Sequence, residues 1–261
     1  MRQIIAENGR FYRILLIISV MKQVNFFIAA CLFLTFTGCT SSEKELEQGR
    51  SLMREGKFRE AIEPLNLAIN ADADNAEAFN TRGVAYFELK EYSNALLDYE
   101  QAIKLEPGFY RPYYNRALLK MAQNDQNAAL KDYSEAIRLA PDTAKVAISD
   151  IYLNRGQLFA LQNQETAAVN DFSQAVAKND RNALAYYNRG NILFQQKNLA
   201  GAMNDFKKAV EVDSRFGKAF YALGVAQMIN NEKDAGCLSL KQARQLGYAD
   251  AVEAIAQYCE K

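Results

Sequence analysis

The feature of this chain that most limits how it can fold is an internal repeat. Four phrases are copies of one unit: FNTRGVAYFELKEYSNALLDYEQAIKLEP, YYNRALLKMAQNDQNAALKDYSEAIRLAP, YLNRGQLFALQNQETAAVNDFSQAVAKND and YYNRGNILFQQKNLAGAMNDFKKAVEVDS. They recur every 34 residues, with one longer interval. A period of this length indicates a supersecondary unit that buries its apolar face by stacking on its neighbours. We therefore expect a linear array of similar units rather than one central core.

Small and large residues occupy fixed places in the unit. Numbered so that the first small residue is position 8, this position holds Gly49, Gly83, Ala117, Gly156, Gly190 and Gly224. Position 20 holds Ala61, Ala95, Ala129, Ala168, Ala202 and Gly236, and position 27 is alanine in all six copies. Position 24 holds Leu65, Tyr99, Tyr133, Phe172, Phe206 and Leu240. Small residues let two helices approach closely, and the large residue fills the remaining space.

This pattern resembles the tetratricopeptide repeat, a pair of antiparallel helices. The resemblance implies an all-α fold, a right-handed superhelical solenoid of about six hairpins that extends from about Ser42 to Leu246. Pro107 and Pro141 stand where a proline ends the second helix. The segment ADAVEAIAQYCEK, after Gly247, is expected to form a C-terminal capping helix.

One interval is longer than the others. Ala117 and Gly156 are 39 residues apart, and the extra residues lie around TAKVAIS. This segment has no glycine or proline, so it should lengthen the following helix by more than a turn. The insertion is either a tolerated change of length or a local change of curvature that adds contact surface.

Two charged positions occur together in the four central copies. Position 7 is Arg82, Arg116, Arg155 and Arg189, and position 23 is Asp98, Asp132, Asp171 and Asp205. The first and last copies have neither residue. This joint presence and absence predicts four structural ion pairs, with a role in ligand binding as the alternative.

The resemblance also implies a concave groove formed by first-helix positions 2, 5, 6, 9, 12 and 13. The candidate binding residues are Asn80, Phe87, Arg111, Tyr114, Asn115, Asn154, Gln157, Tyr187, Asn188, Asn191, Phe194 and Tyr221. Amides can bond a peptide backbone, and tyrosines give large contact areas at little entropic cost. The alternative is that these residues belong to the generic repeat. The carboxylate clamp of co-chaperones in this family is absent, because Leu46 and Thr81 stand at two of its positions.

The N-terminus resembles the signal of a bacterial lipoprotein. From Met21 it has a basic residue, an apolar stretch to Phe36, and then Thr37 and Gly38 before Cys39. By this resemblance residues 1–38 are a signal region that is removed, Cys39 carries the acyl chains, and residues 39–45 are a tether before a solenoid over 46–261. Phe36 departs from the leucine usual there, and a transmembrane helix is the alternative. Either Met21 is the true start or residues 1–20 are a long n-region.

Two further cysteines remain after this processing. Cys237 and Cys259 lie at nearly equal distances from the turn at Gly247, so an antiparallel hairpin places them at the same height. An oxidising compartment would favour a disulfide between them, and two reduced thiols are the alternative. The chain has no histidine, which excludes His-based triads and leaves no motif for a metal site.

These features predict a protein that is not an enzyme. The chain after Cys39 has three more acidic than basic residues, because four basic residues and one acidic residue precede it, so nucleic acid is not an expected partner. We expect a lipid-anchored adaptor of the bacterial cell envelope, similar in architecture to the pilotin lipoproteins, that binds an envelope protein or peptide. Thr40 after the cysteine favours the outer membrane. The alternative is a structural lipoprotein that self-assembles into homo-oligomers. No cofactor is expected besides the lipid on Cys39.

Overall fold

The computed structural model describes residues 41–260, and over this range it is all-α with thirteen helices. The chain divides into two compact units, one ending at Pro107 and one beginning at Gly108. Unit 1 contains α1 (41–54), α2 (Phe58–Ala71), α3 (Ala76–Glu88) and α4 (Tyr92–Leu105). Unit 2 contains α5 (Tyr110–Ala122), α6 (Gln126–Leu139), α7 (Lys145–Leu161), α8 (Glu165–Lys178), α9 (Ala183–Gln195), α10 (Leu199–Val212), α11 (Gly217–Ile229), α12 (Lys233–Gln245) and α13 (Asp250–Tyr258).

Consecutive helices pair as hairpins of the tetratricopeptide type, which confirms the predicted fold class. The large residue of each second helix lies against the small residue of its first helix. A Cβ atom added to Gly83 would lie 2.6 Å from a ring carbon of Tyr99, and one added to Gly190 would lie 2.7 Å from a ring carbon of Phe206. The alanines at positions 20 and 27 are fully buried. Close approach of the two helices is therefore the reason for the small residues.

A left-handed residue follows the first helix of each hairpin, two residues after the last helical residue. Five of these residues are Lys90, Asn124, Asn163, Lys197 and Asn231, with φ between 57° and 63°, and Gly56 occupies the same place in the first repeat. Asparagine tolerates this conformation better than most L-residues. The turn is closed by backbone hydrogen bonds, such as the one that the N–H of Glu91 donates to the carbonyl of Tyr86. One residue per hairpin thus reverses the chain.

The longer interval extends α7. This helix has 17 residues, whereas α3, α5, α9 and α11 have 13 each. The prediction of a lengthened helix is confirmed. The additional turn buries Ile148 and exposes Val146.

Residues 41–45 are helical, although the sequence analysis assigns them to the tether. Ser42 is buried, and its hydroxyl donates to the carbonyl of Ala68 at 2.9 Å and accepts from the amide of Asn75 at 3.0 Å. Ser42 is therefore anchored on the next helices, although it lies within the range 39–45 predicted as a tether. The predicted signal region 1–38 and the lipidation site Cys39 lie outside the described residues. Within residues 41–260, no helix combines the length and apolarity that a membrane crossing requires.

The same serine network occurs in the fourth repeat. Ser149 donates to the carbonyl of Ala175 at 2.8 Å and accepts from the amide of Asn182 at 2.9 Å. The side-chain oxygen of Asn182 caps α9 by accepting a hydrogen bond from the backbone N–H of Ala185. Serine and asparagine thus join two successive hairpins at this point.

The C-terminal helix closes unit 2 as a cap. It follows α12 after Gly247, whose φ of 82° allows the sharp turn. Ala251, Ala254 and Ile255 are buried, and the latter two form a cluster with Leu240. Cys237 and Cys259 are joined by a disulfide, with their Cα atoms 5.7 Å apart. The cap is therefore held by apolar burial and by a covalent link.

Candidate functional site

The four arginines at position 7 are paired with the four aspartates at position 23. Each contact has two nearly parallel N–H···O bonds: Arg155 bonds Asp171 at 2.7 and 2.8 Å, and Arg189 bonds Asp205 at 2.7 Å twice. The carboxylates of Asp171 and Asp205 are each 2% exposed. Bonding to Asp205 raises the pKa of Arg189 above its ordinary value. This bidentate geometry is the strong form of a charged hydrogen bond.

These arginines also make contacts that the sequence analysis did not predict. Arg155 donates a third bond to the hydroxyl of Ser134 at 3.1 Å, and Arg189 donates one to the hydroxyl of Ser173 at 3.0 Å. Both serines lie on the second helix of the preceding hairpin. Each guanidinium also lies over an aromatic ring at position 4, as Arg155 does over Tyr152 at 5.5 Å. The additional bonds of Arg155 and Arg189 therefore join successive repeats.

The aromatic groove candidates are engaged within the fold. The ring of Tyr187 lies 5.0 Å from that of Phe216, and the ring of Tyr221 lies 4.9 Å from that of Tyr248. Phe194 packs on the cluster that contains Phe206. In unit 1, Phe87 stacks on Tyr92 with ring centroids 5.7 Å apart. These side chains are half-buried, so they contribute walls rather than open contact area.

The polar candidates differ in their accessibility. Asn80 is 6% exposed, so the structure leaves it little surface for a ligand, contrary to its assignment to the groove. Asn154 donates to the hydroxyl of Tyr114 at 2.9 Å. Burial raises the pKa of Tyr114, and the nearby charge of Asp150 adds to this effect. Arg111 is exposed, whereas Asn115 is half-buried.

Three candidates come together in one cleft of unit 2. Gln157 on α7 and Asn188 and Asn191 on α9 line a depression of about 540 Å³, which we name the α7–α9 cleft. Its apolar lining residues are Ala160, Leu161, Phe172 and Ile192, and its further polar lining residues are Asn163, Glu165 and Gln195. The volume falls within the ordinary range for a ligand pocket. The cleft is thus mostly neutral and rich in amides.

Asn188 carries the clearest sign of an unmet interaction. Its side-chain nitrogen is buried and has no hydrogen-bond partner among residues 41–260. A buried donor without an acceptor is rare and unfavourable, by roughly 1–3 kcal/mol. A bound carbonyl oxygen would satisfy it.

Two residues at the cleft rim were not among the predicted groove residues. Leu161 and Gln195 both lie at position 13 of a first helix, a groove position by the family pattern. Leu161 is 65% exposed, so its side chain is accessible at the rim of the cleft. Position number was the signal that could have identified them. Asn163 lies in the turn after α7 and Glu165 lies at the start of α8, so neither residue occupies a first-helix groove position.

Known families support the repeat assignment. The signature described as "Tetratricopeptide repeat" matches residues 76–109, 183–216 and 110–143, and that described as "TPR repeat" matches 49–90. A relative from Arabidopsis thaliana, "Hsp70-Hsp90 organizing protein 3", is 27% identical over 90 residues, which are 34% of this chain and 16% of the relative. The chain thus matches only about a sixth of that relative.

Two solved structures are similar over most of the described residues. The PilF protein of Pseudomonas aeruginosa has a TM-score of 0.75 at 16% identity, covering 85% of this chain and 99% of PilF. YrrB, described as a TPR protein with an unusual peptide-binding site, has a TM-score of 0.59 at 20% identity, covering 73% of this chain and 96% of YrrB. At these identities the likeness concerns the fold.

Helical hairpins, small-to-large packing and an amide-lined cleft define a class of repeat scaffolds that bind other proteins or peptides. The chain contains tetratricopeptide repeats, which the family models match over residues 49–143 and 183–216. Among residues 41–260, no group of acidic, cysteine or histidine side chains is arranged to hold a metal ion.

Proposed function

We propose that the protein is a membrane-anchored adaptor of the bacterial cell envelope, without chemistry of its own, that binds a segment of a partner protein in the α7–α9 cleft. The observation that carries this proposal is the unsatisfied amide of Asn188. The cleft also offers Gln157 and Asn191, whose amides can donate to or accept from a peptide backbone. YrrB, which has a similar fold, is described as having a peptide-binding site.

The partner should contact the rim of the cleft. A photo-crosslinking amino acid at Leu161 should give a discrete crosslinked species in cells, whereas the same amino acid at Leu97 should not. Both leucines are 65% exposed, but Leu97 lies on α4 of unit 1 and is not one of the residues that line the cleft. A species with the mass of two chains would instead support self-assembly.

Removal of two cleft amides should abolish this crosslink. In Asn188→Ala with Asn191→Ala, the bound backbone loses two hydrogen bonds, each worth about 1 kcal/mol, so affinity should fall by more than tenfold. Tyr187 is left intact because its ring packs on Phe216. The control is Asn127→Ala with Asn170→Ala, which alters exposed second-helix amides. Undiminished crosslinking in a folded cleft variant would place the binding surface elsewhere.

The membrane anchor is the second part of the proposal. It is supported by the lipobox-like sequence that ends at Cys39. A single acyl chain binds a bilayer only marginally, whereas two or three hold a protein stably. Ser42, three residues further on, is already anchored on Ala68 and Asn75. An anchor at Cys39 would therefore hold α1 close to the bilayer surface.

Lipid should be attached to Cys39. Cells grown with a fatty-acid probe should label the wild-type protein, and Cys39→Ala should carry no label, because the thiol is the acylated group. The matched control is Cys31→Ala, which leaves Cys39 in place. Equal labelling of the wild-type protein and Cys39→Ala would refute the anchor.

A further inference from the structure

A second cleft in unit 2 contains a carboxylate that takes part in no ion pair among residues 41–260. Asp150, in the second turn of α7, is half-buried and forms no hydrogen bond or ion pair with any of residues 41–260. It lines a cleft of about 470 Å³ together with Leu184 at the start of α9 and Phe216 before α11. We name this region the acidic cleft. None of its residues belongs to the α7–α9 cleft.

The charges of this cleft sum to one negative charge. Asp150 and Asp213 contribute two negative charges, and Arg181 contributes one positive charge. Arg181 and Asp213 are exposed, and Asp213 accepts a bond from the backbone N–H of Arg215 at 2.9 Å. Their charges are therefore well screened by water, whereas the charge of Asp150 is less screened. The deepest charge in the cleft is thus an unpaired carboxylate.

Part of the wall of the cleft is apolar. Leu184 is 40% exposed, and Phe216 is half-buried against the ring of Tyr187. A side chain with an apolar stem and a cationic end would place its stem on these walls and its charge at Asp150. The ring of Phe216 would favour the cation further. A carboxylate or phosphate would be repelled.

We propose that the acidic cleft is a second subsite that takes a lysine or arginine side chain of the bound partner, with Asp150 as its counter-charge. This inference rests on the proposed function only for the identity of the natural occupant. Burial raises the pKa of the Asp150 carboxyl above its ordinary value, so its ionised form is disfavoured in the empty cleft. A bound cation would offset this penalty and lower that pKa.

The test uses the full chain and two small probes, N-acetyl-lysine methylamide and N-acetyl-norleucine methylamide, in ligand-observed NMR titrations. The lysine probe should bind about tenfold more tightly than its uncharged counterpart, as expected for a partly buried charge pair. Asp150→Asn should remove this difference, and Asp180→Asn, an exposed aspartate outside the cleft, should preserve it. Arg181→Ala should strengthen binding of the lysine probe by about twofold, because it removes a positive charge that repels the lysine.

A second measurement is independent of variants. The carboxyl pKa of Asp150, followed by NMR in the wild-type protein, should fall when the lysine probe saturates the cleft and stay unchanged with the norleucine probe. Equal affinities for both probes, no saturable binding of the lysine probe, or an unchanged pKa would overturn the subsite. Absence of the Leu161 crosslink in cells, together with the expected binding of the lysine probe, would instead count against the proposed adaptor function.

Discussion

Replacing Arg155 with alanine should destabilise unit 2 by about 3 kcal/mol, because Asp171 would remain as a buried carboxylate without its cation. The carboxylate of Asp171 is 2% exposed and cannot reach water without disturbing α8. Arg155 is 18% exposed, so Asp171→Ala leaves a cation that can partly hydrate. The Asp171→Ala variant should therefore lose less stability, about 2 kcal/mol.

The double variant distinguishes a true pair from two independent effects. The free energy of unfolding should be measured by urea unfolding followed by circular dichroism. Its loss in Arg155→Ala with Asp171→Ala should be smaller than the sum of the losses in the two single variants, by at least about 1 kcal/mol. The control is the exposed pair of Arg138 and Glu135 on α6, for which each loss should stay below about 1 kcal/mol. Strictly additive losses for Arg155 and Asp171 would show that the two side chains do not interact.

Removal of the disulfide should release the C-terminal cap. The bond joins residues 22 apart in sequence, for which the chain-entropy account gives about 3 kcal/mol of stabilisation. The nine-residue α13 is too short to persist without its packing and this link. In Cys237→Ala with Cys259→Ala, amides of α12 and α13 should therefore exchange with solvent about 100-fold faster, and amides of α9 should not change.

Two controls accompany this experiment. A reductant should speed exchange in the wild-type protein and have no effect on the double variant. The number of thiols titrated in the unfolded, unreduced protein should be the same for both proteins, because the replaced cysteines are already bonded. Two fewer thiols in the double variant would show that these cysteines are reduced in the native protein.

The ion pairs illustrate how much a repeat reveals before a structure is known. Each copy acts as a comparison for the others, so the joint presence of position 7 arginine and position 23 aspartate predicted their contact. The same reasoning would have found Ser42 with Asn75 and Ser149 with Asn182, which occur together in two repeats. The fold class followed likewise from small and large residues at a fixed period.

The groove was predicted less well than the fold. Family positions selected Gln157, Asn188 and Asn191, which line the α7–α9 cleft, but they also selected the buried Asn80. A position number specifies the helix face of a residue. It does not specify which neighbouring side chains cover that face, because these differ from one repeat to the next.

The repeat unit, its helical hairpins, the lengthened α7 and the charge pairing could all be predicted from the sequence, since they depend on short-range spacing along the chain. The unsatisfied amide of Asn188 and the absence of an ion pair at Asp150 within residues 41–260 became visible only in the tertiary structure. Whether a polar group finds a partner depends on contacts between different hairpins, where differences of about 1 Å separate a hydrogen bond from none. Spacing within one repeat carries no information at that precision.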